Sequence, residues 1–369
     1  MRILKYFFLL LFLFLIGLSV FILTQKGDYD VTRSKVIKNP RVIVFNYIND
    51  YRNWETFCTW IKNDNTYNFN YPELTMGKGA SCSWVSSGTE GNLKTILVKE
   101  NESISQKMVN NQETSEFFWK FKDTVGGTKV TWRSKGKLDI KSKVAAFFHG
   151  GINSVMGDTF EKSLENLNKT LDYEINTYSV KVNGIVNRPG GFYLKQFLHC
   201  KQKDVERNIK VLVSRMEHFF DKNKMSSNGK PFIIYHKYDR TNDDIGFSVC
   251  MPVRDSIHIM PGSDIESGKS VSYTTLKTTL VGDYSHTQTA WKKALRYISD
   301  NHLERNNSGQ IVEVYAVGRK DVKNPSKWVT EIYIPVFPKA APKAVNRKPL
   351  DSLVVATPPT ESATPSKNN

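Results

Sequence analysis

Cysteine is scarce in this sequence: four among 369 residues, Cys58 and Cys82 in the first half and Cys200 and Cys250 in the second. None forms a C-x-x-C pair, which excludes the common thiolate zinc sites and thioredoxin-type redox chemistry. An oxidising compartment would permit Cys58–Cys82 and Cys200–Cys250 bridges. Otherwise the thiols act as small buried hydrophobes. The seven histidines are scattered without metal-ligand spacing. His199 and Cys200, adjacent on what reads as a strand, point to opposite faces and chelate poorly. Also missing are a G-x-S-x-G elbow, a phosphate loop and an H-E-x-x-H helix. No metal and no cofactor are expected. Nor is there a helix-turn-helix pattern, an RNP-like aromatic signature or zinc-finger spacing, so no nucleic-acid partner is expected. Acidic residues are few: 36 Asp and Glu face 52 Lys and Arg, a net charge of +16. That excess reads either as attraction to anionic lipid headgroups or envelope polymers, or as a lysine-rich solvated surface.

Charge is absent altogether from Tyr6–Leu23, eighteen residues reading YFFLLLFLFLIGLSVFIL. As a helix this run rises about 27 Å, close to the hydrocarbon thickness of a bilayer. It has no polar stripe with which a soluble core helix would face water. The alternative is a cleaved secretory signal, but Phe21-Ile22-Leu23-Thr24 offers no small-x-small site. Residues 1–26 are therefore expected to form a retained, single-pass anchor in the cytoplasmic (inner) membrane. Arg2 and Lys5 before the span place the N-terminus inside and the bulk of the chain outside the cytoplasm.

Beyond the anchor the patterning predicts an α+β protein in two parts. Residues 29–176 open with a strand over Val31–Lys38 and a short helix over Arg41–Asn49. An aromatic-rich segment that reads as a loop, up to Trp60, follows. Phe117, Trp119 and Phe121 alternate onto one face, as do Val130 and Trp132 after a turn at Gly126-Gly127. Met156, Phe160, Leu164, Leu167 and Leu171 form one stripe on a long closing helix. The pattern implies an antiparallel sheet wrapped against that C-terminal helix. Residues 178–337 repeat themselves. Gly229–Tyr235 aligns with Gly309–Tyr315 at an offset of 80, and Ile245–Pro252 with Val329–Pro335 at about 83. Each unit reads strand, helix, strand, strand. The helices fall at about Lys203–Asn223, with Val205, Ile209, Leu212, Val213 and Met216 apolar, and about Thr287–Asn301, with Trp291, Leu295 and Ile298 on one side. Such a duplicated βαββ pair suggests one pseudo-symmetric sheet, both helices on one face and a groove between them. Residues 338–369, rich in Pro, Thr, Ser and Ala, read as a disordered tail.

Two resemblances sharpen this outline. Asn39-Pro40, Val44-Phe45, Ile48-Asn49-Asp50, Trp54, Gly77-Lys78-Gly79, Gly127 through Trp132 and the Phe160-Leu164-Leu167 finish resemble the SRPBCC superfamily. That is the START/polyketide-cyclase-like helix-grip fold. The resemblance implies a cavity between sheet and helix for an apolar ligand, with Trp84, Trp119 and Trp132 either lining or filling it. Gly282-Asp283-Tyr284, Ala290-Trp291, Glu313-x-Tyr315 and Thr330-Glu331-Ile332-Tyr333-Ile334-Pro335 resemble the GyrI-like (AraC-type effector-binding) domain. It implies small-molecule binding in the groove between the repeats, with Glu313 available to a cationic or polar ligand and some relatives acting as hydrolases.

The leading expectation is a membrane-anchored binding protein with two ligand cavities. The site residues are Glu313, Tyr315, Tyr284, Trp291, Glu331 and Tyr333 in the second half, and the three tryptophans in the first. A hydrolase is the alternative, with Glu313 or Glu331 as general base oriented by Tyr315, Tyr333 or Tyr284. A scaffold or inhibitor acting through protein contacts is the third reading. The sequence lacks a nucleophile–base–orienter set, which favours binding over catalysis. Glu313 aligns with Ile233 in the other repeat, so the fold itself does not require a charge at that position.

Overall fold

A computed structural model describes residues 2–24, 27–62, 66–86, 88–111, 113–239, 243–260 and 262–337. The expected tail, 338–369, lies outside the described residues. The first helix, α1 (Arg2–Thr24), carries the charge-free run. It is long and apolar enough to cross a membrane. Its side chains stand open along most of its length, Phe8 at 57% and Phe14 at 61% exposure among them.

The first half then runs β1 (Asp28–Ile37), α2 (Arg41–Asn49) and two single-turn helices, α3 (Trp54–Phe57) and α4 (Thr59–Lys62). Strands follow as β2 (Asn68–Asn70), β3 (Ser81–Ser86), β4 (Thr89–Lys99), β5 (Ser103–Asn110), β6 (Glu113–Thr124) and β7 (Gly127–Lys137). Helices α5 (Ile140–Phe148) and α6 (Ile152–Asn176) complete it. The seven strands form one antiparallel sheet in the order β1-β7-β6-β5-β4-β3-β2, the sheet's first strand pairing with its last. Phe160, Leu164, Leu167 and Leu171 of α6 are buried, as their spacing requires, and Met156 packs beside them. The segment expected as a loop after Asn49 is instead folded into tight helical turns. Tyr51, Trp54 and Phe57 there are buried, because a run so rich in aromatics gains more by entering the core than by staying solvated.

Aromatic rings fill the space between this sheet and α6. Trp132 lies face to face with Trp119 on one side (4.2 Å between centroids) and with Phe160 of α6 on the other (4.1 Å). Trp54 closes the cluster edge-on to both tryptophans. A polar chain runs beneath it. Trp119 Nε1 donates to Gln106 Oε1 (2.9 Å), Gln106 Nε2 donates to the Tyr51 hydroxyl (3.1 Å), and that hydroxyl pairs with Thr95 Oγ1 (2.7 Å). All four cysteines are free, and burial pushes the Cys82 thiol up to about 12.

The second half comprises β8 (Ser179–Arg188), β9 (Gly191–Lys201), α7 (Val205–Lys222), β10 (Phe232–Asp239) and β11 (Asp244–Val253). It continues with β12 (Ile265–Ser270), β13 (Tyr273–Val281), α8 (Thr287–Asp300), β14 (Ile311–Val317) and β15 (Val329–Pro335). Its eight strands are ordered β12-β9-β11-β10-β14-β15-β13-β8. Two strands beyond the expected strand–helix–strand–strand units, β8 and β12, occupy the ends. They do not pair with their sequence neighbours. β8 pairs with β13 and β12 with β9, Arg188 opposite Tyr273 and Gly191 opposite Ser270. β8–β9 and β12–β13 thus act as two long, kinked antiparallel ribbons, and Pro189-Gly190 marks the kink rather than a hairpin.

Helix α7 lies over β9 and β11, burying Ile209, Leu212, Met216 and Phe220. Helix α8 lies over β8, β13 and β15. Its buried stripe is Ala290, Ala294 and Ile298, whereas Leu295, expected on the inner side, is 43% exposed. Two alanines on the inner face let the helix approach the sheet closely and turn Leu295 outward.

The Trp119–Trp132–Phe160 stack generates a stability prediction. Trp132→Ala removes a fully buried ring between two others and should destabilise the protein by about 3–5 kcal/mol. Denaturant unfolding of the detergent-solubilised protein, followed by near-UV circular dichroism, measures it; a loss below about 1 kcal/mol would mean the stack is readily repacked.

Candidate functional site

The centre of the eight-stranded sheet is the pair β10–β14, where Ile233 sits directly opposite Glu313. These two strands run in the gap between the helices, because on one face of the sheet α7 covers β9 and β11 and α8 covers β8, β13 and β15. Ile233 belongs to the α7 core and Ile332, the β15 neighbour of Glu313, to the α8 core. Glu313 therefore faces the helical side, at the floor of the gap.

Glu313 is 2% exposed. Its Oε2 accepts from Trp291 Nε1 on α8 (3.1 Å) and from the Tyr235 hydroxyl on β10 (3.4 Å). The Tyr315 hydroxyl, two residues along the same strand, donates as well. Tyr235 meets Trp291 edge-on, with centroids 5.8 Å apart. These three donors are all neutral. Desolvation disfavours the ionised carboxyl more than the three hydrogen bonds favour it, so the pKa of Glu313 is raised. An anion wrapped in aromatic faces can attract a cation through both its charge and the ring quadrupoles. Held protonated, the same carboxyl can donate a hydrogen bond.

Tyr284 reaches this cluster from the turn that precedes α8. Gly282 makes the turn possible: at φ +138 it adopts a backbone conformation that L residues resist, and a side chain there would collide with Tyr178. Asp283 then caps the turn by accepting from Ser285 N (2.9 Å). Tyr284 stands edge-on to Tyr315 (5.1 Å) and stacks on Trp328 (4.7 Å). Trp328 in turn carries the Arg319 guanidinium over its ring at 5.9 Å. Tyr284, Trp291, Tyr315 and Glu313 thus come together.

Glu331 and Tyr333 do not join them. They pair with Val314 and Val312, the residues on either side of Glu313, and so project from the opposite face of the sheet. There Tyr333 donates to Glu331 Oε2 (2.6 Å), Lys277 Nζ lies 2.7 Å from Glu331 Oε1, and Arg188 stacks over Tyr333 at 5.4 Å. Burial raises the pKa of Glu331, but the Lys277 ammonium and the Tyr333 hydroxyl outweigh it and hold the carboxyl below its ordinary value. A carboxylate so neutralised is a poor base. In the first half, Trp119 and Trp132 stack on one another, while Trp84 packs against Phe69 at 6.1 Å.

Three residues of the second-half cluster were not singled out from the sequence. Tyr235 was within reach, since it aligns with Tyr315. Arg319 and Trp328 lie in the β14–β15 connection, which has no periodic pattern to read.

The same connection touches the first half. Asn324 Nδ2 donates to Glu174 Oε1 on α6 (2.6 Å), and Ser326 N donates to Glu174 Oε2 (3.1 Å). Arg319 Nη1 lies 3.6 Å from Met76 Sδ, and burial lowers the Arg319 pKa despite the field of Asp50. His286 Nε2 pairs with the Ile175 carbonyl (2.7 Å) beneath the stacked ring of Tyr178.

Residues 193–336 match the family model of the GyrI-like small molecule binding domain. Similar solved structures include protein CV1439 from Chromobacterium violaceum, at 9% identity and a TM-score of 0.30, covering 38% of this chain and 94% of that one. The C-terminal domain of EcmrR is similar at 16% identity and a TM-score of 0.36, covering 44% and 99%. So is SAV2435, in a structure bound to tetraphenylphosphonium, at 13% identity and a TM-score of 0.31, covering 43% and 93%. No curated protein matches the sequence.

The raised pKa of Glu313 fixes the sign of a pH effect. A carboxyl that binds its proton more tightly folded than unfolded contributes full stability below its unfolded pKa, and that contribution falls as pH rises through the folded value. Glu313→Gln removes the charge and keeps the shape. The melting temperature of the variant should therefore gain on the unmodified protein as pH climbs from about 4.5 toward neutrality. Parallel melting curves across that range would contradict the burial of an ionisable carboxyl.

Proposed function

We propose that this protein is a membrane-anchored small-molecule receptor whose second half takes a cationic, aromatic-rich ligand over Glu313. One observation carries the reading: a buried carboxylate in the gap between two helices whose hydrogen-bond donors, Trp291, Tyr235 and Tyr315, are all neutral. A cationic ligand is the natural complement to that arrangement. The match of residues 193–336 to a small-molecule-binding family supports the same reading.

In this reading the second half is a duplication, its pseudo-twofold axis passing between Ile233 and Glu313. The strand order supports it, since β9, β11 and β10 mirror β13, β15 and β14 across that point. The first half is taken as a helix-grip domain of the SRPBCC kind, in line with the long α6 lying against its sheet. Its interior is occupied by stacked rings, so an apolar guest there would have to part Phe160 from Trp132. The anchor is α1, placed once through the cytoplasmic membrane, N-terminus inside, with both folded parts outside the cytoplasm.

A hydrolytic reading is favoured by the same raised pKa, because a carboxyl tuned upward is a better general base at neutral pH. Glu313 is then the base, with Tyr315 and Tyr284 alongside to orient a substrate.

Fluorescence anisotropy of ethidium, an aromatic cation, with the full chain in detergent tests the proposal. Affinity should rise with pH as Glu313 ionises, and Glu313→Gln should weaken it by at least about tenfold, about 1.4 kcal/mol. Equal affinity in the two proteins would remove Glu313 from the ligand site. Loss of activated-ester turnover in Glu313→Gln with ethidium affinity intact would decide for the hydrolase.

The two-domain arrangement has its own measurement. Fragments 27–175 and 176–337 should each melt cooperatively when produced alone. If neither does, the halves share one core and the boundary near Thr177 is misplaced.

A further inference from the structure

In chain order between β7 and α6 comes α5, a nine-residue helix whose apolar side chains point away from the protein. Ile140 is 59% exposed, Val144 37%, Phe147 41% and Phe148 66%. At 3.6 residues per turn these four positions fall within an arc of about 100°. Lys141 borders the arc on one side and Lys143 on the other, while Ala146, roughly opposite, is the residue the helix buries. Asp139 caps the start of the helix by accepting from Ser142 N (2.7 Å). A soluble surface helix has the reverse pattern, apolar side in and lysines out.

The position of α5 says what covers this face. Phe147 packs edge-on against Phe21, in the last turns of the apolar helix α1, with centroids 6.1 Å apart. Ile22, next to it, is 5% exposed, whereas the preceding turns of α1 are open. The apolar arc of α5 is thus continuous with the apolar surface of the span and sits at the level where the span ends. Phenylalanines on one side with lysines at both edges are what a helix lying in the headgroup region of a bilayer presents, rings toward the acyl chains and ammonium groups toward anionic headgroups.

We infer that α5 is a second membrane contact: an interfacial helix that lies in the bilayer surface beside the anchor and fixes the first half against the membrane. The inference rests on the reading of α1 as a membrane span. Its occupant is the lipid surface, and its consequence is that the folded part is held at a set height and tilt instead of hanging on a free tether.

The test uses the full chain with Cys200→Ser, which removes the partly exposed native thiol, reconstituted into phosphatidylcholine–phosphatidylglycerol vesicles. A polarity-sensitive fluorophore is placed singly at Phe148→Cys, at Phe12→Cys in the span, and at Val271→Cys, an exposed site in the second half. Acyl-chain-brominated lipids report depth by quenching. The label at 148 should be quenched most by bromine near the headgroups, the label at 12 by bromine deep in the chains, and the label at 271 by neither. Quenching at 12 with none at 148 would overturn the interfacial helix and leave the anchor standing. No quenching at either position would show that α1 is not in the bilayer, and the inference would fall with that reading.

Discussion

The burial of one carboxylate at the middle of a sheet constrains much of the second half. Removing a charge from water without a counter-ion costs several kcal/mol, and hydrogen bonds from neutral donors offset only part of it. Glu313 collects three such donors, each from a different location: Tyr315 from its own strand, Tyr235 from the strand beside it, and Trp291 from the helix above. Those residues in turn place β10, β14 and α8 relative to one another. Ile233, directly across the strand pair, makes the asymmetry plain. An apolar side chain thus fills one side of the pair and a carboxylate the other, and burying the carboxylate there carries a stability cost.

The connection from β14 to β15 joins this site to the rest of the chain. On one side it supplies Trp328, which stacks on Tyr284 at the edge of the aromatic cluster, and Arg319, which lies over Trp328. On the other it is pinned to α6 through Glu174, whose two carboxylate oxygens take Asn324 and the backbone of Ser326. One segment therefore borders the aromatic cluster around Glu313 and the contact between the two halves.

A similar economy holds at the opposite end of the first half. The chain leaves α1, enters β1, and that strand pairs with β7, which leads directly into α5. Closing the meander on its own first strand therefore brings α5 back to the end of α1. The contact of Phe147 with Phe21 follows from topology, since the two phenylalanines are far apart in sequence and neither belongs to a shared repeat.

Periodicity alone determined a good deal: the apolar span, the long helix carrying Phe160 to Leu171, the inward row of Phe117, Trp119 and Phe121, and the location of Glu313 and Tyr315 on one side of a strand. These are properties of a single element, set by repeats of 3.6 and 2 residues, and a linear string carries them in full. Only the tertiary structure decided which elements meet. It sent Glu331 and Tyr333 to the far side of the sheet, because strand register fixes which face opposes which and register is a relation between two segments. It turned Leu295 outward, because Ala290 and Ala294 brought α8 close to its sheet. It brought Arg319 and Trp328 to the candidate site from a connection without any pattern, and it gave the apolar face of α5 the end of the apolar helix α1 for a neighbour. A sequence records what each side chain is; burial of a charge, the raised pKa of Glu313 and the company of Phe147 arise only when distant segments exclude water between them.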